Sequence, residues 1–447
     1  MNTLGRFLSL AAMLVCAPAM SETWSLSKCL EYAMEHNIDL QKSKITMQEQ
    51  ESSLASSRAQ LFPSLSFSTS QNLTNRPWAE QVMMTTDAGL VTSTSSSTTY
   101  NGNYNLSANW TIWNGGKRQN NIKLSEINVE QAELQSQVSV NNIQEQIVQL
   151  YVQILYSKES IEVNKQTLEV SMAQRDRAQQ QVEIGHLSRT DLAQLEAQVA
   201  NDQYNVVNAQ AQVDRYKMQL KQLLELTTPT EDFDIATIEV DDDRALVLFP
   251  TIDEVYTSAL DSRPEIKNSK LGIQSAETNL KIARSGAMPT ASLSARVGTS
   301  NSDTSDKGFG EQLKTNWNNS LGLTINVPIY SQRQTKTQVE KARLSKQTSE
   351  LNLINQENDL YNTIEGLWLT GTTAQQQFIA SKANVESSQT SFDLLSEQFD
   401  LGLKNIVELM DGKVKLLSAL QNKLQSKFTV ILNEQLLRFY QGNDITL

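Results

Sequence analysis

The chain is short of almost everything that catalysis draws on. Its 447 residues include two histidines, His36 and His186, far apart in sequence and on different predicted elements, so no histidine-based metal centre or acid–base site is expected. No phosphate-cradling glycine loop, dinucleotide fingerprint or CxxC pair occurs. No cofactor, metal or enzymatic activity is therefore expected, and energy for any work must come from a partner. Cysteine is equally scarce: if Cys16 leaves with an N-terminal leader, Cys29 stands alone, no intrachain disulfide can form, and its amphipathic setting makes it an ordinary core residue. Past the leader, no apolar run is long enough to cross a bilayer as a helix. Basic clusters are missing and the net charge is −12, which argues against nucleic acid as a partner. Aromatics make up only 6% while Ser, Gln, Asn and Thr abound, a composition suited to thin helical layers wetted on both sides.

What is present is organised around the stretch from Lys117 to Thr228, which has no proline and a single glycine, Gly185. Apolar residues recur every seventh position at Leu192, Val199, Val206, Val213 and Leu220, with Leu195, Ala209, Tyr216 and Leu223 as the partner row, which is a coiled-coil seam. Val140, Ile147, Ile154, Ile161 and Leu168 repeat the spacing. Two long antiparallel helices joined at Gly185 are predicted, the first a rod of roughly 100 Å. Residues 1–21 read as an export signal, with Arg6, the apolar run Phe7 to Val15, and small Ala17, Ala19 and Ser21 before cleavage. Lipidation at Cys16 is the rival, with Met13 and Val15 as poor flanks for it. The mature chain is expected to work outside the cytoplasm.

The chain is duplicated. Leu26 to Ser68 aligns without gaps to Ile252 to Ser294, at an offset of 226: Ser43 and Lys44 fall on Ser269 and Lys270, and Pro63 on Pro289. A second block keeps an offset of 217, with Leu106 on Leu323, Tyr151 on Trp368, Gly185 on Gly402 and Asp191 on Glu408. Chance matches scatter over registers, so these mark two copies of one unit. The first copy is predicted over 22–226, with helices 26–61 and 115–226 and strands near 63–76 and 100–113. The second covers 252–442, with helices 252–287 and 331–440 and strands near 289–299 and 319–330. An acidic, irregular linker (227–251) separates them, and 443–447 form the C-terminal end.

Each strand pair alternates. Leu65 and Phe67, then Tyr104, Leu106, Ala108, Trp110 and Ile112, then Ala291, Leu293, Ala295 and Val297, then Leu321, Leu323, Ile325, Val327 and Ile329 point one way, with small or polar residues between. Such strands are usually half-buried sheet in a soluble domain. Here the long helices already pair with each other and the loops between strands, Asn72 to Thr99 and Thr299 to Asn318, are polar, so lipid is the remaining cover, provided the sheet closes and leaves no edge in hydrocarbon. Tyr100, Tyr104, Trp110, Trp113 and Tyr330 lie near strand ends, where interfacial aromatics sit. Four strands cannot close a barrel, so the chain must assemble with copies of itself.

The duplicated helix–strand–strand–helix unit, the leader, Leu26 and Ala33 before Asn37, the Arg58 to Pro63 helix exit, and the Gly185–Thr190–Asp191 and Gly402–Val407–Glu408 tips resemble the TolC family of outer-membrane efflux proteins over nearly the whole mature chain. The resemblance implies a mainly α fold with a transmembrane β part: a homotrimer with a twelve-stranded outer-membrane barrel and a long periplasmic α-barrel, the linker lying in a band around its middle. It implies a passive exit duct of tripartite efflux or type I secretion, opened by an inner-membrane pump and a periplasmic adaptor. By resemblance Glu408 and Asp411 occupy acidic ring positions at the periplasmic gate. Asp191 and Lys404 would form an inter-helix latch, with Lys404 and Phe399 replacing an arginine and a tyrosine of the best-known member. Ile184, Gly185, His186, Leu187, Leu401, Gly402 and Leu403 would meet the adaptor. The plain alternatives are a solvated acidic helix face, a surface ion pair worth about 0–1 kcal/mol, and apolar residues that only pack the turns. A soluble periplasmic coiled-coil adaptor or scaffold is the rival for the whole chain, though adaptors lack duplicated strand pairs, and an adhesin stalk would need a repetitive passenger.

Overall fold

The computed structural model describes residues 23–78, 82–86, 89–93, 98–226, 233–237 and 241–445. The expected export signal with Cys16 lies outside the described residues, as do 227–232 and 238–240 of the expected linker. In chain order the elements are β1 (Thr23–Trp24), α1 (Leu26–His36), α2 (Ile38–Ala59), β2 (Ser64–Asn75), β3 (Val82–Thr86), β4 (Gly89–Ser93), β5 (Thr98–Asn114), α3 (Lys117–Glu183), α4 (Arg189–Leu223), β6 (Asp234–Ile235), a 3-10 turn at Asp242–Leu246, α5 (Ile252–Ser262), α6 (Pro264–Ser285), β7 (Thr290–Ser302), α7 (Phe309–Thr315), β8 (Asn318–Asn326), α8 (Gln334–Asp400) and α9 (Ile406–Tyr440).

The duplication is visible in helix lengths. α1 and α5 have 11 residues each, α2 and α6 22, α3 and α8 67, and α4 and α9 35. The first helix of each copy, read from sequence as continuous over 26–61 and 252–287, is in fact broken after eleven residues. At the break in the first copy, Asn37 is extended, its N–H still bonds Ala33, and its side chain accepts from Asp39 and donates to the Leu223 carbonyl at 3.0 Å. In the second, Arg263 precedes Pro264, which forces extended backbone on it and cannot donate. Two further elements occupy segments read as loops: the antiparallel hairpin β3–β4 and helix α7.

The chain divides into two units. One comprises Ser43–Ser136 and Pro264–Gln356 and holds an antiparallel sheet in the order β2-β5-β7-β8. Here Arg118 of α3 donates to the carbonyls of Gln60 and Ile112, fixing the helix start to the strand end, and Arg58 pairs with Glu126 at 2.8 Å.

The other unit comprises the residues up to Lys42 with Gln137–Arg263 and Glu357–Leu447. Its core sits on the expected seam: Ile147, Ile154, Ile161, Val213 and Leu220 are buried with Leu26, Cys29, Ala33, Phe428 and Ile431. Burial pushes the Cys29 thiol up to about 12. Tyr151, fully buried, donates to the carbonyl of Ala236 at 3.0 Å. The linker is strapped down here. β6 pairs in parallel with β1, and Asp234 is held by Lys158 at 2.7 Å and Lys217 at 3.0 Å. Further on, Asp242 meets Lys423 at 2.8 Å, and Gln375 donates to the carbonyls of Ala245 and Val247. Lys158 also donates to the carbonyl of Ile235, so Lys158 and Gln375, equivalent positions of the two copies, each grip the linker backbone.

Candidate functional site

Register decides which side chains share a face of the sheet. Phe67, Leu106, Val297 and Asn319 form one cross-strand row, Leu65, Ala108, Ala295 and Leu321 another, and Trp110, Leu293 and Leu323 a third. The intervening rows read Ser68, Asn105, Gly298, Asn318, then Ser66, Ser107, Arg296, Ser320, then Ser64, Asn109, Ser294, Gly322. Neighbours along a strand alternate sides, so one face is apolar and the other hydroxyl- and amide-lined. The apolar face is bare: Leu65, Phe67 and Leu321 are 71%, 67% and 74% exposed. Among the described residues β2 and β8 each lack a partner on their outer edge. An apolar face with two open edges calls for cover and for closure.

The aromatics flank this face. Tyr100 and Tyr104 lie toward one end of β5, Trp110 and Trp113 toward the other, and Trp110 Nε1 donates to the Leu61 carbonyl at 2.8 Å. A bulge between Thr111 and Trp113 shifts the register, so Trp113 aligns with Ala291 on the apolar face. The fourth strand is shorter than expected. β8 ends at Asn326, because Pro328 cannot donate to a ladder, and Val327, Ile329 and Tyr330 lie beyond it with exposed side chains.

In the other unit the long helices reverse at two matching tips. Gly185 and Gly402 take φ of 79° and 74°, the left-handed region that a side chain resists. His186 N–H bonds the Gln181 carbonyl and Gly185 N–H that of Val182, while Leu403 and Gly402 repeat the pattern onto Gln398 and Phe399, the double bond of a Schellman motif. Ser188 and Asn405 then cap α4 and α9, accepting from the N–H of Asp191 and Glu408. The two acids thus share one structural position. In the second copy the capping box closes, with Glu408 accepting from the Asn405 N–H.

Ile184, His186, Leu187 and Asp191 line a cleft of about 450 Å³ with Leu401, Gly402 and Lys404. The latch read from sequence is not the bond made here: Lys404 Nζ contacts Glu408 Oε1 at 2.6 Å, one turn away, while Asp191 accepts from the Ser188 hydroxyl at 2.7 Å. The capping box brings Glu408 back toward Lys404, which explains the exchange of partner. Lys404, then the Asn405 N–H, hold the Glu408 carboxyl below its usual range. Asp411, the other ring acid, pairs with Lys415 at 2.6 Å. Each tip acid of α9 therefore has a lysine beside it. Of the apolar tip residues, Leu187 packs against a core that includes Leu195, Phe399, Ile406 and Leu409, whereas Ile184, Leu401 and Leu403 are exposed.

Between the copies run contacts that sequence reading missed. Arg177 of α3 pairs with Asp400 of α8 at 3.1 Å. Deeper, Lys413 of α9 donates to Asp202 of α4 and Ser171 of α3, and Gln198 adds a bond to the same carboxylate at 2.9 Å. Lys413 and Asp202 side chains are only 5% and 2% exposed, so this is a buried ion pair. A signal existed: Asp202 stands seven residues from Leu195 and from Ala209, an acid in the partner row of the seam.

The chain matches the family model described as outer membrane efflux protein over residues 29–225 and 255–443. It is 22% identical over 295 residues to Outer membrane protein TolC of Escherichia coli, covering 64% of this chain and 58% of that protein. A similar likeness, 22% over 300 residues, links 66% of this chain to 60% of Alkaline protease secretion protein AprF of Pseudomonas aeruginosa. The matched stretch thus spans about three-fifths of either relative. A solved structure of CusC, described in terms of folding and transmembrane channel formation, superposes with a TM-score of 0.78 at 16% identity, covering 94% of this chain and 92% of that one. The fold is that of such channels, and the paired repeats that carry the sheet and the tips are the parts the family model covers. The chain belongs to the TolC family of outer membrane efflux proteins.

Proposed function

We propose that three copies of this chain form an outer-membrane channel that continues into the periplasm and serves as the passive exit duct of a tripartite efflux or type I secretion system. The observation that carries this reading is the exposed apolar face of a four-stranded sheet with two open edges. In hydrocarbon every backbone donor and acceptor needs a partner, so such a sheet is stable only when closed. Three copies supply twelve strands, an even number inside the range of natural outer-membrane barrels. Tyr100, Tyr104, Trp110 and Trp113 then serve as membrane-interface anchors, with Tyr330 beyond the end of β8. Family membership supports the location and the conduit role, and the name of the Pseudomonas relative supports secretion as well as efflux.

Asp191, Lys404, Glu408 and Asp411 form the periplasmic gate in this reading, and Ile184, Gly185, His186, Leu401, Gly402 and Leu403 meet a periplasmic adaptor that couples the duct to an inner-membrane pump. Both the exposure of the apolar tip residues and the meeting of the two copies in one cleft support it. The test is extraction and reconstitution. The mature chain should require detergent, run as a trimer by light scattering, and give unitary conductance steps in planar bilayers. A monomer released by osmotic shock without detergent would end the proposal.

A further inference from the structure

One charged side chain interrupts the sheet. Among the described residues of β2, β5, β7 and β8 every position is uncharged except Arg296, the middle residue of the thirteen in β7. It stands on the hydroxyl- and amide-lined face, in the row Ser66, Ser107, Arg296, Ser320. Its neighbours in that row are serines, too short to cover a guanidinium. The group is exposed, and its partner is neutral: Nε and Nη2 both donate to Asn105 Oδ1, the former at 3.0 Å. The position is built. Asn105 lies opposite Gly298, where an added Cβ would come within 2.6 Å of the same Oδ1, so glycine leaves the space in which the amide turns toward the arginine.

We propose that Arg296 is the charge-selecting residue of the duct and that the duct favours solutes carrying anionic groups, such as carboxylates, sulfonates or phosphates. This rests on the reading of the sheet as one third of a closed barrel, in which the polar face lines the lumen and three guanidiniums share one level. A ring of guanidiniums attracts the opposite sign. No carboxylate among the described residues of these four strands offsets it. The tip acids Glu408 and Asp411 are each matched by a lysine.

The test is the reversal potential of reconstituted channels under a potassium chloride gradient. Relative to the parent channel, Arg296→Gln should lower the anion-to-cation permeability ratio about threefold or more at ~10 mM salt. The difference should vanish near 1 M, as the Debye length falls from about 30 Å to about 3 Å. Arg296→Lys should keep the preference. Arg296→Cys should lose it and regain it when a membrane-impermeant, positively charged thiol reagent is added, while buried Cys29 stays unreacted. The same shift is expected with Glu408→Ala and Asp411→Ala in the background. Conducting trimers whose selectivity is the same with Arg, Gln or Lys at this position would overturn the inference and leave the duct reading standing. A parent chain that forms no pores would remove both.

Discussion

The buried pair Lys413–Asp202 makes a quantitative prediction because its two charges are out of water and in contact. Removing one partner strands the other, and such losses typically cost about 3–5 kcal/mol, whereas replacing both with apolar residues of similar volume is often neutral. Asp202→Leu should be the most damaging single change, since it leaves an ammonium with only Ser171. Lys413→Met should cost less, about 2–3 kcal/mol, because Asp202 keeps donors from Ser171 and Gln198, and a cavity of about 120 Å³ beside Lys413 gives the thioether room. The double variant should return to within about 1 kcal/mol of the parent. Native-state hydrogen exchange of the α9 amides reads this directly, a 3 kcal/mol loss appearing as roughly 100-fold faster opening. Burial holds the Lys413 pKa below its usual 10.5, outweighing the opposing effect of Asp202. The folded state then binds fewer protons than the unfolded one as pH rises through that depressed value toward 10.5, so alkali should slow α9 opening through this group. Two small and additive single-variant effects would show that the pair is solvated and the reasoning wrong.

Other outcomes follow from the tips. Gly402→Ala, at φ of 74° with nothing within 4 Å of an added Cβ, should lose about 1–2 kcal/mol from backbone strain alone, read as a lower unfolding midpoint. Glu408, whose carboxyl pKa is depressed by Lys404 and the Asn405 N–H, contributes stability above about 4.5 that disappears as pH falls through its folded value. Protection of the amides at the start of α9, referred to the intrinsic exchange rate at each pH, should therefore fall under acid, and Lys404→Met should flatten that dependence. Ile184→Asp, Leu401→Asp and Leu403→Asp should change stability by no more than about 0.5 kcal/mol while abolishing co-purification with a cross-linked adaptor. Leu187→Asp, which buries a charge in the tip core, should destabilise instead.

Much of the fold was legible because it is periodic. A seven-residue seam names the residues that must be inside, and Ile147, Ile154, Val213 and Leu220 are there. A constant offset of 217 predicts equal elements, and the long helices match residue for residue in length. Local exceptions to a period were not legible. The break at Asn37 depends on a side chain that reaches the Leu223 carbonyl, 186 residues away. The site divides the same way. The turn role of Gly185 and Gly402 is written in local sequence, but the partner of Lys404 is not, since the latch calls for Asp191 and the capping box offers Glu408, the equivalent acid of the other copy. The separation of Leu187 from Ile184, Leu401 and Leu403 needed the packing as well.

The missed contacts share a property that explains why a duplicated chain has one arrangement. Seen through the 217-residue offset, Lys413 corresponds to Glu196, Asp202 to Ala419, Arg177 to Leu394 and Asp400 to Glu183. Each of these two ion pairs thus includes a residue whose charge the other copy lacks, Leu394 for Arg177 and Ala419 for Asp202. If the hairpins exchanged places, Glu196 would take the position of Lys413 and face Ala419, with Ser388 and Lys415 where Ser171 and Gln198 now stand, so the Lys413–Asp202 pair would not form. Glu183 would meet Leu394 where Asp400 now meets Arg177. The apolar seam tolerates either arrangement, since its residues are interchangeable at similar volume. The buried pair does not, because only the present arrangement sets an acid against Lys413. Stability in this unit comes from the repeated seam, and the choice of which face each hairpin presents comes from the few places where the repeats diverged.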